Sequence, residues 1–131
     1  MYAIVIDDSS AMRMILKRIV TNLGFDVTLA EHGRDALEKM ESADHAFDVA
    51  LIDWNMPEMN GLQYIQAVRD DPRYSAVTLM MVTTESEQGQ MVRALAAGAH
   101  EYLIKPFTPD AVAEKLELLG LIRPAYLTAG V

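Results

Sequence analysis

Two short apolar runs in this chain stop abruptly at aspartate. Ala3-Ile4-Val5-Ile6 is followed by Asp7 and Asp8, and Val49-Ala50-Leu51-Ile52 by Asp53. Neither run alternates apolar with polar residues, so neither can show one face to water. Both read as strands of a parallel sheet covered on both sides. In open sheets of that kind the functional crevice lies outside the carboxyl ends of the strands. If the two runs are neighbours, three carboxylates meet at one spot. Such a cluster repels itself unless a cation or a proton intervenes.

The rest of the chain supplies the crossovers. Ala11, Ile15, Ile19 and Leu23 recur at four-residue intervals and mark a helix face, with Gly24 as its stop. Residues 26–30 form a short strand and residues 34–40 a second helix, with Leu37 and Met40 inward. The third strand ends at Asp53, and a loop over residues 54–60 leads through Gly61 into a helix marked by Leu62, Ile65 and Val68. Residues 78–82 are a fourth strand, and Met91, Val92 and Leu95 mark a fourth helix ending near Gly98. Residues 101–104 are the fifth strand. Thr108 as N-cap and Pro109 in the first turn then start a last helix carrying Val112, Leu116 and Leu119. Five strand–helix units argue for a doubly wound α/β sheet. Residues 1–120 are expected to form one domain. Residues 121–131 make a short apolar tail broken by Pro124, with no output domain.

Composition excludes several functions. The formal net charge of -8, without a lysine- or arginine-rich stripe, argues against a nucleic-acid partner. No cysteine is present, which removes disulfides and thiolate chemistry. No apolar stretch approaches the roughly 20 residues of a membrane span, and the first strand leaves no room for a signal peptide. A cytoplasmic domain without membrane insertion is expected.

Four strands end in a reactive side chain: Asp7 with Asp8, Asp53, Thr83 and Lys105. Singly, each has an ordinary explanation. An aspartate pair caps turns, Thr84 with Glu87 matches a capping box, and a lysine before proline is commonly solvated. Their convergence on one sheet edge is what points to chemistry. Carboxylates without cysteine favour a hard divalent cation, Mg²⁺ or Mn²⁺. His32, His45 and His100 show no zinc-ligand spacing. A cation, an ammonium and a hydroxyl around one carboxylate suit phosphoryl transfer, with Asp53 as nucleophile.

Asp7-Asp8, Asp53-Trp54-Asn55-Met56-Pro57 with Gly61, Thr83, and Lys105-Pro106-Phe107 occur in that order along essentially the whole chain. This set resembles the receiver domain of two-component response regulators, and within it the stand-alone chemotaxis-type members. The resemblance implies a flavodoxin-like sheet in the order 2-1-3-4-5 with five helices. It implies Asp53 as acceptor of a phosphoryl group from a sensor histidine kinase. Asp8, Asp53 and the Asn55 carbonyl would bind Mg²⁺, with Asp7 acting through a water. Lys105, on a cis Lys105-Pro106 peptide, would pair with the phosphoryl group. Thr83 would move to hydrogen-bond it, and Tyr102 would turn inward as Thr83 vacates space. The implied partners are the kinase and an output protein: a flagellar motor switch, a phosphotransfer protein or a kinase complex. Glu114, Lys115 and Glu117 make the last helix less basic than a motor-binding member's, and Ser9, Glu58, Asn60 and Thr84 also depart from the pattern. A phosphorelay shuttle is one alternative. An aspartyl-phosphate phosphatase is another, although the haloacid dehalogenase type wants a second aspartate where this chain has Asn55.

Overall fold

Five parallel strands, β1 (Tyr2–Ile6), β2 (Asp26–Ala30), β3 (Val49–Ile52), β4 (Thr78–Thr83) and β5 (Glu101–Ile104), lie in the order β2-β1-β3-β4-β5. Helices α1 (Ser10–Asn22), α2 (Gly33–Ser42), α3 (Gly61–Asp70), α4 (Gln88–Ala97) and α5 (Pro109–Leu118) connect and follow them, with a short 3-10 helix at Pro72–Tyr74. These coordinates are a computed structural model, and they describe residues 1–123. The five-stranded doubly wound fold and its strand order are those expected.

Strand parity divides the core. Ile4, Ile6, Ala50, Ile52, Leu79 and Met81 project to one face, where Met40, Tyr64, Ile65 and Ala94 cover them. Ala3, Val5, Val49, Leu51, Met80 and Val82 project to the other, against Leu16, Val20, Val112 and Leu116. Hence α2, α3 and α4 cover one side, and α1 and α5 the other. Both faces of β1 and β3 are buried, which is why their sequences show no alternation.

Helix ends follow local chemistry. Ser9, Asn60 and Thr108 cap α1, α3 and α5, and Asn60 with Gln63 completes a capping box. His32 caps α2 through Nδ1, which accepts from the Asp35 N–H at 3.1 Å. Gly98, at φ 128°, reverses the chain after α4 in a conformation open mainly to glycine.

Three local expectations need correction: the face of α1, the Thr84–Glu87 pair and the end of the third strand. The buried stripe of α1 is Leu16 and Val20 flanked by Met12, Ile19 and Leu23, while Ala11 and Ile15 face water. Val92 and Leu95 of α4 are exposed, because Ala94 and Met91 make that helix's contact with the core. Thr84 with Glu87 is not a capping box: Glu87 occupies the N-cap of α4 and its side chain caps nothing. The third strand ends one residue before Asp53, which is the first residue beyond it. Leu121 and Ile122, read as the start of the tail, pack against the cluster beneath α1 and α5. Residues 124–131, the remainder of that tail, lie outside the described residues.

Candidate functional site

Register delivers the acids to one place. Ile6 pairs with Ile52 across β1 and β3, so Asp7 and Asp53, the first residue beyond each strand, emerge side by side. The ladder runs one step further: Asp53 N–H donates to the Ile6 carbonyl at 2.9 Å, and Asp7 N–H to the Ala30 carbonyl at 3.1 Å. Lys105 is fixed likewise, its N–H donating to the Thr83 carbonyl at 2.9 Å, and its bond to Pro106 is cis. Carboxylate oxygens of Asp7, Asp8 and Asp53 lie within 4.8 Å of one another. Asp7 and Asp53 are buried and Asp8 is exposed.

Each buried carboxylate has defined partners. Asp7 Oδ2 accepts from Lys105 Nζ at 2.7 Å and Asp7 Oδ1 from the Ser9 N–H at 2.9 Å. Asp53 Oδ1 accepts from the Trp54 N–H at 2.8 Å, while Asp53 Oδ2 lies 3.6 Å from Lys105 Nζ. Lys105 therefore bridges the two acids as a part-buried counter-charge. Burial raises the Asp53 pKa above its ordinary value, and the Asp7 charge adds to this. The Thr83 hydroxyl, Lys105 ammonium and Trp54 N–H pull the other way. Gly61 makes room for this loop: a Cβ there would clash with the Asp53 carbonyl oxygen.

Thr83 is fully buried at the end of β4, its Oγ1 accepting from the Glu85 N–H at 3.2 Å. Tyr102 is buried as well, and its hydroxyl donates to the Glu85 carbonyl at 2.7 Å. The ring thus lies inside, held by that hydrogen bond. Asn55 is exposed on the loop after Asp53.

Two contributors were not visible in sequence. Arg13 Nη1 donates to the Asp7 carbonyl at 2.6 Å, anchoring the turn that carries Asp8. Its signal was its place, six residues after Asp7 on the helix leaving the site. Glu85 acts through its backbone, for which no side-chain signal exists.

The site fits a hard divalent cation on donor chemistry: three carboxylates, two of them buried, and no sulfur or imidazole ligand in the cluster.

A doubly wound sheet with acids, threonine and lysine at the carboxyl ends of its strands defines a signalling receiver class. Residues 3–117 match the response regulator receiver domain, and the chain belongs to that family. Among its relatives, Chemotaxis protein CheY1 of Helicobacter pylori is 46% identical over 120 residues, covering 91% of this chain and 96% of that protein. The Chemotaxis protein CheY homolog of Campylobacter jejuni is 45% identical over 118 residues, 89% of this chain and 90% of that one. The solved structure of Vibrio cholerae chemotaxis protein CheY4 superposes with a TM-score of 0.82 at 33% identity, covering 89% and 96% of the two chains. Among the described residues no helix is long and apolar enough to cross a membrane.

Proposed function

We propose that this protein is a stand-alone cytoplasmic response regulator that accepts a phosphoryl group on Asp53 from a sensor histidine kinase. In its two states it binds an output protein differently, in chemotaxis-type signalling. Residues 1–120 act as the receiver, and output passes through protein contact. One observation carries the reading: Asp53 holds one oxygen toward the part-buried Lys105 ammonium at 3.6 Å inside a cluster of three acids. The chemotaxis relatives support the pathway.

In the transfer, an Asp53 carboxylate oxygen attacks phosphorus. The new O–P bond forms as the P–N bond to the donor imidazole breaks, and the imidazole leaves with the electron pair and takes a proton from water. Asp8, Asp53 and the Asn55 carbonyl would hold Mg²⁺ or Mn²⁺, with Asp7 through a water, and the cation would neutralise charge on the phosphoryl oxygens. Lys105 gives up part of its contact with Asp7 to pair with the phosphoryl group. The Thr83 hydroxyl accepts from Glu85, so its own proton is free to donate to a phosphoryl oxygen. Exposed Val92 and Leu95 on α4 supply apolar area for the output partner.

The test is incubation with acetyl phosphate and Mg²⁺, followed by intact-mass measurement. One added phosphoryl group is expected, lost without divalent metal and in Asp53→Asn. Equal labelling of that variant would overturn the assignment.

A further inference from the structure

The end of the sheet opposite the acid cluster holds a partly enclosed cavity of about 170 Å³. Its walls come from segments far apart in sequence: Met40 from the last turns of α2, His45 and Phe47 from the segment before β3, and Tyr74 and Val77 from the segment before β4. Met40, Phe47 and Val77 are buried, so the inner surface is apolar. Ala46 and Ala76 stand at exposed positions of the lining, where their short side chains cover little of the opening.

Ring geometry makes one side rigid. The imidazole of His45 stacks on Tyr2 at 3.6 Å between centroids and meets Phe47 edge-on at 4.9 Å. Across the space, Tyr74 carries the Arg73 guanidinium over its ring at 5.1 Å. That guanidinium is already taken, bonding Asp71 at 2.8 Å with Glu41 at 3.9 Å. An anionic ligand therefore meets an arginine already paired with two carboxylates. An enclosed apolar cavity of about 150 Å³ in another protein takes up benzene, so the space here has the size for one such ring. Three aromatic rings and a polarisable thioether favour an aromatic guest over an aliphatic one of equal size.

We infer that this cavity is a binding site for a neutral, single-ring aromatic molecule, separate from the phosphoacceptor site. It is independent of the proposed function, so either can fail alone.

The probes are benzene, cyclohexane and benzoate, titrated into the full-length ¹⁵N-labelled protein while amide shifts are followed. Benzene should give saturable shifts at Phe47, Tyr74 and Val77 in the low-millimolar range, leaving Asp53, Thr83 and Lys105 unmoved. It should bind about 2- to 10-fold more tightly than cyclohexane, the increment expected of aromatic pairing. Benzoate should bind more weakly than benzene. Ala76→Phe, at an exposed position and so compatible with folding, should fill the mouth and abolish the benzene shifts. Tyr74→Leu should erase the preference over cyclohexane. Shifts that never saturate, that scatter over the surface, or that persist unchanged in Ala76→Phe would overturn the site. Equal affinity for benzene and cyclohexane in the wild type would overturn the aromatic class.

Discussion

The hydroxyl of Tyr102 donates to the carbonyl of Glu85 at 2.7 Å, and the N–H of that same Glu85 donates to Thr83 Oγ1 at 3.2 Å. One residue of the β4–α4 loop thus joins a side chain beside Asp53 to a buried ring on β5. Any movement of Thr83 toward Asp53 pulls on the loop that Tyr102 holds. Two arrangements of this loop would form a bistable element of the kind that local charge changes bias.

Thr83→Ala should still be phosphorylated at Asp53 yet lose most of the phosphorylation-dependent change. Tyr102→Phe should cost about 1 kcal/mol for the lost hydrogen bond and loosen the loop around Glu85. Beryllofluoride, a phosphoryl mimic, provides the measurement through amide shifts of α4 with and without it. A coupling of roughly 1–3 kcal/mol corresponds to about a 5- to 150-fold change in partner affinity. If α4 in Thr83→Ala responds as fully as in wild type, the signal leaves the site by another route.

The acids should differ in their effect on stability. Asp53 has a raised pKa, so the folded state holds its proton more tightly than the unfolded chain, whose reference value is 3.8. Its contribution is favourable below that value and is lost as pH rises through the raised one. At neutral pH, in EDTA, Asp53→Asn should therefore melt several degrees higher than wild type, with the gain shrinking in acid. Asp8→Ala should gain less, being exposed. Asp7→Ala removes the nearer of the two carboxylates that Lys105 bridges, leaving Asp53 at 3.6 Å, and should cost about 1.5–3 kcal/mol for the lost charged hydrogen bond. Added Mg²⁺ should stabilise wild type and not the Asp53 variant. Thermal melts of all four proteins test this, and a lower melting point for Asp53→Asn in EDTA would remove the repulsion claimed here.

Much of this was legible in sequence, and the reasons for the gaps are physical. β1 and β3 announce themselves because both faces are covered, and Asp7 and Asp53 because they end those runs. The face of α1 was misread because a strict four-residue repeat drifts about 40° per step around a helix of 3.6 residues per turn. The actual stripe mixes steps of three and four through Met12, Leu16, Ile19 and Leu23. Val92 and Leu95 mark a helix, but hydropathy does not distinguish a core face from an exposed apolar one, and both are exposed. The Glu85 bridge uses only main-chain atoms, which every residue has. The pairing of Lys105 with Asp7 depends on a fold that brings residues 98 positions apart to 2.7 Å.

Trp54, the chain's single tryptophan, is buried and its backbone N–H donates to Asp53 Oδ1. Cation binding at Asp8 and Asp53 should alter the field at the indole. A saturable fluorescence change on titrating Mg²⁺ is expected at millimolar concentrations, since Mg²⁺ keeps several waters in such sites. Asp8→Ala should weaken it strongly. A flat wild-type titration would mean that Trp54 senses nothing of the site.

Glu58 sits at φ 61°, the only non-glycine residue with positive φ among the described residues. Around it, the Met59 N–H closes on the Pro57 carbonyl at 2.6 Å, and its carboxylate lies 3.5 Å from His32 Nε2. The turn costs a residue with a long side chain more than it costs asparagine. The exposed pairing with His32 recovers little. Glu58→Asn should therefore stabilise the protein by about 0.5–1 kcal/mol in urea unfolding, with the phosphoacceptor loop unchanged. Destabilisation would show that the His32 contact outweighs the backbone term.

His100 governs the remaining prediction. Its Nδ1 accepts both from the Leu79 N–H at 3.1 Å and from Arg69 Nη2 at 3.3 Å. A nitrogen receiving two donors cannot carry its own proton, so the folded ring is neutral. Arg69 also donates to the Val77 carbonyl at 2.9 Å and the Gly98 carbonyl at 3.2 Å. The pair thereby ties the start of β4 to the end of α4. Burial, followed by the Arg69 charge, holds the His100 pKa below its ordinary 6.5. The unfolded chain then takes up this proton first as pH falls. His100's contribution is intact above about pH 6.5 and is lost as pH drops toward the lowered folded value. His100→Asn keeps an acceptor near the same position but cannot titrate. Denaturant unfolding between about pH 7.5 and 5 should show wild type losing stability more steeply than the variant, with amides of Leu79 and Gly98 reporting the loosening. Parallel slopes for the two proteins would place the acid sensitivity of this domain elsewhere.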